Sequence, residues 1–140
     1  MKVMVIVKAD QDTEAGVLPG RQLLAEMLQF NEELLEARIL LAADGLQPSA
    51  KGVRVSFPGG AVTDGPFAET KELVAGYWLW QVSSIQEAID WLRRSPFQGF
   101  PQGAVEIRPL YEPDDFGEAF TPELREQEAR VSAAASMIRA

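Results

Sequence analysis

The chain has 140 residues, a formal net charge of −8, and neither cysteine nor histidine. Its length fits one domain, and 46% apolar with 24% charged residues is typical of a soluble globular protein. The missing residue types exclude disulfides, thiolate nucleophiles, imidazole bases and cysteine- or histidine-based metal centres, while the acidic balance argues against nucleic-acid binding, which needs a basic surface.

A short strand and a long amphipathic helix open the chain. Residues 3–9 (VMVIVKA) form an apolar, β-branched run that predicts a strand, and residues 39–43 (ILLAA) predict a second one. Between them, residues 18–37 predict a helix, and Pro19 suits its first turn. The apolar stripe of this helix runs through Leu23, Met27, Phe30 and Leu34.

A hairpin is predicted next. Residues 53–57 (VRVSF) alternate apolar with polar side chains, which is typical of a half-exposed strand. The run Pro58, Gly59 and Gly60 turns the chain, and residues 61–63 (AVT) bring it back as the second strand of the hairpin.

The second half repeats the strand–helix–strand order. Residues 75–82 (AGYWLWQV) predict a strong strand, and residues 104–110 (AVEIRPL) predict the last one. Between them, Ser84 and Glu87 have the spacing of a capping box that opens a helix, and Pro96 is expected to end that helix.

The order of these elements predicts an α+β fold, a ferredoxin-like split βαβ sandwich with an inserted β-hairpin. The first and third main strands are expected at the centre of the sheet, because both of their alternating sets are apolar. The last strand sets Glu106 and Arg108 against Val105 and Ile107. That pattern suits an edge strand.

Two helices cover only one face of such a sheet, so the second apolar face needs a cover of its own. A second subunit, the hairpin or a ligand would each satisfy it. We expect a homodimer whose sheets pack face to face.

The boundary of the α+β domain is expected near residue 112, leaving residues 113–140 as an acidic linker and an extra C-terminal amphipathic helix. Thr121 and Pro122 suit the N-cap and first turn of that helix. We expect its apolar stripe to dock on its own domain or on a dimer partner. The stripe comprises Leu124, Val131, Ala135 and Ile138.

The segment 63–72 (TDGPFAETKE) is the candidate site. Asp64 is its candidate catalytic residue, as a general base or an anchor for a ligand hydroxyl. Alternatively, Asp64 is a turn residue whose side chain bonds the backbone two positions on. Phe67 is expected to anchor the loop in the core.

The candidate ligand-binding residues around Asp64 are charged or carry a hydroxyl. Glu69 and Lys71 are expected to pair with each other or with Asp64, or to hold a charged ligand. Arg54 and Arg108 are alternative anion contacts, and the Tyr77 hydroxyl is a candidate donor.

The segment DGPFAETKE (64–72), with residues 76–96 (GYWLWQVSSIQEAIDWLRRSP) and 105–110 (VEIRPL), resembles the YCII-related family and within it the DGPF-domain branch. The resemblance covers most of residues 1–112 and implies a dimeric, ferredoxin-like α+β barrel. It also implies a small polar aromatic or lactone ligand in a cleft beside the sheet. Relatives use a His-Asp pair, and the position that matches their histidine is Met27, so that mechanism does not carry over.

Two functions of different classes follow. The first is a binding protein for a small polar or aromatic molecule, with or without lyase- or isomerase-like activity. The second is a non-enzymatic regulatory or interaction protein linked to an extracytoplasmic-function sigma factor, a link that the resemblance implies. No cofactor, metal or membrane partner is expected, and the lack of a signal-peptide core or membrane span predicts a cytoplasmic location.

Overall fold

A computed structural model describes residues 1–99 and 103–139, without the side chains of Lys71 and Arg139. The chain divides into two compact units, Met1–Pro109 and Leu110–Ala140. The helices of the first unit are α1 (Gln11–Glu14), α2 (Arg21–Glu36) and α3 (Ile85–Leu92). Its strands are β1 (Lys2–Lys8), β2 (Leu40–Gly45), β3 (Val53–Ser56), β4 (Ala61–Asp64), β5 (Val74–Gln81) and β6 (Val105–Pro109).

Four strands form an antiparallel sheet in the order β2-β5-β1-β6. This order confirms the ferredoxin-like arrangement, with β1 and β5 at the centre and β6 at an edge. Val5 of β1 lies opposite Trp78 on one side and Ile107 on the other. The central strands thus bring the buried Val5 and Trp78 to the same level of the sheet.

The core lies between one face of this sheet and the helices. Trp78 and Trp80 are buried there, and Phe30 of α2 packs edge-on against both indoles at centroid distances of 5.7 and 6.4 Å. The indole Nε1 of Trp78 donates to Oδ1 of Asn31 at 2.8 Å. Leu34, one turn further along α2, is also fully buried.

The helix ends differ from the sequence predictions. Gly20 is the N-cap of α2, so the expectation that Pro19 lies in the first turn is wrong. Only half of the capping box forms: Ser84 Oγ accepts from the Glu87 N–H at 3.1 Å, while the Glu87 carboxylate accepts from Ser83 Oγ at 2.7 Å. The helix α3 ends before Pro96, which opens a 3₁₀ turn instead.

The strands β3 and β4 pair in a separate two-stranded antiparallel sheet, with Val55 opposite Val62. Every residue of both strands is exposed. The expectation of a half-exposed strand is therefore wrong, because two strands without a second layer bury neither face.

The corner after β4 packs against the turn after β2. A Cβ atom added to Gly65 would lie 1.8 Å from the carbonyl oxygen of Ser49. The Gly65 N–H donates to the Gly52 carbonyl at 3.0 Å, and the Phe67 N–H donates to Ser49 Oγ at 3.1 Å. Phe67 lies outside the buried core, so the expectation that it is a core anchor is wrong; its backbone, rather than its ring, ties the corner to Ser49.

The second unit contains a 3₁₀ segment (Pro113–Ala119) and the helix α4 (Pro122–Arg139). Thr121 Oγ1 accepts from the Leu124 N–H at 3.3 Å, as expected of the N-cap. Arg125 ties the helix to the segment before it, because its Nη2 lies 3.1 Å from Asp114 Oδ1. No helix in the described ranges is long and apolar enough to cross a membrane.

We predict that Leu34→Ala lowers the free energy of unfolding by about 3 kcal/mol, because it leaves a cavity in the core. The matched change Leu35→Ala, at a side chain that is 61% exposed, is expected to alter it by less than about 0.5 kcal/mol. Urea unfolding of both variants measures the difference, and equal losses would contradict the orientation of α2.

We also predict that Gly65→Ala destabilises the protein by about 2 kcal/mol, because its Cβ has no space beside Ser49. In the control Gly52→Ala, the new Cβ would lie 3.5 Å from the Ser49 carbonyl oxygen at an ordinary φ of −105°. That variant should be neutral or more stable by up to about 1 kcal/mol. Thermal and urea unfolding compare the two, and a neutral Gly65→Ala would refute the close packing of this corner.

Candidate functional site

A cavity of about 1050 Å³ opens at one end of the four-stranded sheet. The strands β1 and β2 end there and β5 and β6 begin there, since Lys8, Gly45, Ala75 and Val105 all line it. The connections that leave β1 and β2 form part of the wall, together with helix α2 and with Phe97, Gly103 and Ala104. The cavity therefore lies where the antiparallel order brings two chain connections together.

Most of the cavity wall is apolar. Such a wall favours the organic body of a ligand over water, and binding sites for small molecules are generally built this way. The apolar residues come from strands β1 and β6, helix α2, the connection after β2 and the 3₁₀ turn Pro96–Gly99, and they include Val7, Leu23, Met27, Leu46, Phe97 and Val105.

Two lysines and one aspartate supply the charges of the wall. Asp10 and Thr13 are engaged with each other, because the Thr13 N–H donates to Asp10 Oδ1 at 2.8 Å and the Asp10 N–H donates to Thr13 Oγ1 at 2.9 Å. Lys8 Nζ lies 3.6 Å from Glu106 Oε1. Lys51 has no ion pair with any described residue, so its ammonium group is available to a ligand.

A smaller cavity of about 300 Å³ adjoins the first. Asp44 and Tyr77 line it, and the Tyr77 hydroxyl donates to Asp44 Oδ2 at 3.3 Å. Asn31 also lines it, with its Oδ1 already engaged by Trp78. The two cavities share part of their walls: Val7, Met27, Gly45, Ala75 and Phe97 line both.

The structure does not gather the predicted site residues in one place. Tyr77 lines the smaller cavity, whereas Arg54, Asp64 and Glu69 line neither. The guanidinium of Arg54 lies over the Phe67 ring, 3.8 Å from its centroid. The roles of these residues in binding stay predictions.

The other alternative anion contact, Arg108, also lines neither cavity. Arg108 Nε lies 3.7 Å from Glu106 Oε2 on the edge strand. Glu69 is exposed and precedes the 3₁₀ turn Thr70–Glu72. The side chain of Lys71 lies outside the described residues, so its predicted pairing stays a prediction.

Asp64 does not make the turn bond that was the alternative to a catalytic role. The residue two positions on is Pro66, which has no N–H to donate. Within the described part of the chain, no residue hydrogen-bonds to the exposed Asp64 carboxylate. The corner is held instead by backbone groups of Gly65 and Phe67.

Sequence reasoning missed Asp10 and Lys51, because neither belongs to a motif. The predicted topology could have identified them. The connections after β1 and β2 leave the sheet at the same end, so polar residues in the two connections are neighbours. Met27 was singled out through the family resemblance and lines both cavities.

Metal ligands are not assembled in the described ranges. Among residues 1–99 and 103–139, no group of three or more acidic side chains is placed to hold a metal ion.

Comparison with known proteins gives matches to a family and to individual proteins. The YCII-related domain matches residues 1–114. An uncharacterized protein of Rhizobium meliloti (strain 1021) is 43% identical over 56 residues, which are 39% of this chain and 45% of that protein. The match thus spans about half the length of this curated relative.

Among solved structures, one similar chain is a 5-chloro-2-hydroxyhydroquinone dehydrochlorinase from Burkholderia phenoliruptrix AC1100, in complex with 2,5-dihydroxybenzoquinone. It is 13% identical, with a TM-score of 0.47, and the likeness covers 80% of this chain and 95% of that one. Membership of the DGPF branch stays a prediction from residues 64–72. Because the domain match extends over the whole first unit, the chain belongs to the YCII-related family.

Proposed function

We propose that this protein binds a small organic anion, with an aromatic or other apolar body, in the larger cavity. The observation that carries the proposal is an apolar cavity of about 1050 Å³ whose wall includes Lys51, a lysine without an ion pair to any residue that the structure describes. Its size is at the upper end of the range for small-molecule sites, roughly 300–1,000 Å³. Because the net charge of the protein is −8, selectivity for an anion depends on a local positive charge such as that of Lys51.

Apolar residues and lysines of the wall contact different parts of the ligand. Met27, Leu46 and Phe97 take the ligand's apolar body out of water. Lys51 pairs with its anionic group, and Lys8 adds a second positive charge, partly offset by Glu106. This arrangement favours a carboxylate, sulfonate or phenolate on a flat apolar frame.

Binding is the function that the wall supports, rather than the proton transfer of relatives with a His-Asp pair. The family resemblance matches Met27 to their histidine, and a thioether cannot carry a proton between ligand and solvent. A lyase- or isomerase-like reaction through Asp64 has less support, because the exposed Asp64 lines neither cavity.

We also propose a homodimer formed by the face of the sheet opposite the helices. Met4, Ile6 and Leu79 alternate with the buried Val3, Val5 and Trp78, which places them on that second face. An apolar sheet face of this kind is suited to pack on its copy. A link to a sigma factor stays a prediction, and no described feature favours it.

We predict that the dye anilinonaphthalene sulfonate binds more tightly than phenylnaphthylamine, which has the same aromatic body without the sulfonate. Lys51→Met should weaken the sulfonate about tenfold, the value of one charged hydrogen bond, and change the neutral dye by less than about twofold. The control is Lys2→Met at the exposed start of β1, away from the cavity. Fluorescence titration gives the affinities; wild-type protein that binds neither dye, or both equally, would refute the proposal.

We further predict that Met27→Trp weakens both dyes at least about tenfold, because the larger side chain fills the shared part of the two cavities. The control Leu35→Trp places the same side chain on the exposed face of α2, outside both cavities, and should leave both affinities unchanged. The same titrations test this, with melting curves to show that both variants are folded. Undiminished binding by Met27→Trp would locate the dyes elsewhere.

A further inference from the structure

We propose that Ser49 and Glu14 are positioning residues for Lys51, and that the corner formed by Gly65 and Phe67 acts on ligand binding through them. The inference rests on the proposed function, since Lys51 is the group that meets the anion. None of Glu14, Ser49, Gly65 and Phe67 lines the larger cavity. They therefore affect the ligand indirectly, through the position of Lys51.

The turn that contains Lys51 has few hydrogen bonds of its own. It is a 3₁₀ turn of three residues, Ser49–Lys51, closed by the Lys51 N–H to the Pro48 carbonyl and the Gly52 N–H to the Ser49 carbonyl, both at 2.9 Å. Short 3₁₀ turns have poor hydrogen-bond geometry and are marginal alone. The position of Lys51 therefore depends on contacts from other segments.

Ser49 receives those contacts from two sides. Its N–H donates to Glu14 Oε1 at 3.0 Å and its hydroxyl donates to Glu14 Oε2. The Glu14 carboxylate thus accepts hydrogen bonds from both the backbone and the side chain of Ser49. The same hydroxyl oxygen accepts from the Phe67 N–H. Glu14 is the last residue of α1, whose Asp10 cap and Thr13 line the cavity. One serine thus joins two walls of the cavity to the corner.

The corner also holds the residue on the other side of Lys51. The Gly65 N–H donates to the carbonyl of Gly52, and the Gly65 backbone packs so closely on Ser49 that no side chain fits between them. The backbone on both sides of Lys51 is therefore fixed by residues 64–67. A lysine whose backbone is held in place loses less conformational freedom when it pairs with a ligand.

This role predicts an effect on charge selectivity alone. Ser49→Ala should weaken anilinonaphthalene sulfonate about fivefold, because Lys51 is no longer held in place, and leave phenylnaphthylamine within about twofold. Ser49→Thr keeps the hydroxyl and should restore most of the sulfonate affinity. The control is Ser56→Ala in the exposed strand β3, which should change neither dye.

Coupling to Lys51 separates positioning from a general structural role. In a double-mutant cycle, Ser49→Ala should add no further loss to Lys51→Met, because it acts only through that side chain. Additive losses, or equal losses for both dyes in Ser49→Ala, would overturn the inference. If Lys51→Met abolishes the preference for the sulfonate while Ser49→Ala keeps it, this inference fails and the proposed function stands. If wild-type protein binds neither dye, both fail.

A second readout needs no ligand. Trypsin cuts after lysine when the chain opens locally, so Ser49→Ala should raise the rate of cleavage between Lys51 and Gly52 several-fold over wild type, and Ser56→Ala should not. Mass spectrometry of the fragments identifies the site. An unchanged rate at this bond in Ser49→Ala would show that Ser49 does not hold the turn, and would overturn the inference independently of any binding result.

Discussion

The packing of Phe30 against Trp78 and Trp80 is the interaction on which the rest of the structure depends. These three side chains join α2 to the central strand β5, and their ring centroids lie within 6.4 Å of one another. Aromatic rings supply much of the apolar area that a small core buries. The bond from Trp78 to Asn31 fixes the rotation of α2 on the sheet. The Trp80 indole N–H, buried without a partner in the described ranges, costs part of that gain.

The cavities follow from where this aromatic packing stops. On the helix-covered face of β5, Trp80 and Trp78 are followed by Gly76. Two residues beyond the last indole, β5 therefore has no side chain to fill the space under the helices. A larger residue at position 76 would press on β2, because an added Cβ would lie 3.0 Å from the carbonyl oxygen of Asp44. Close strand packing at that end thus leaves open space under α2, and Met27 lies over it. The aromatic core and the candidate site therefore lie at opposite ends of the same layer between the sheet and α2.

The charged segment 63–72 contributes through its backbone more than through its side chains. Gly65 and Phe67 offer N–H groups and a close approach to the turn Ser49–Lys51, while Asp64 and Glu69 are exposed. A run of unusual residues is therefore not by itself a site, since turn geometry and tight packing demand the same residue types. In this protein the lysine assigned to the anion, Lys51, lies in a different connection, which carries no motif.

The sequence by itself determined the strands and the two longer helices of the first unit and the strand order of the four-stranded sheet, because apolar periodicity and strands that are apolar on both faces are local properties of the chain. It missed helix α1, which has a single turn and no apolar stripe, and it misplaced Pro19 relative to α2. Only the tertiary structure decided the cavity, the neighbourhood of Lys51 and the need for glycine at position 65. These depend on contacts such as Glu14 with Ser49, 35 residues apart, and Ser49 with Phe67, 18 apart. No periodicity encodes which two connections meet, because that is set by how the strands assemble into the sheet.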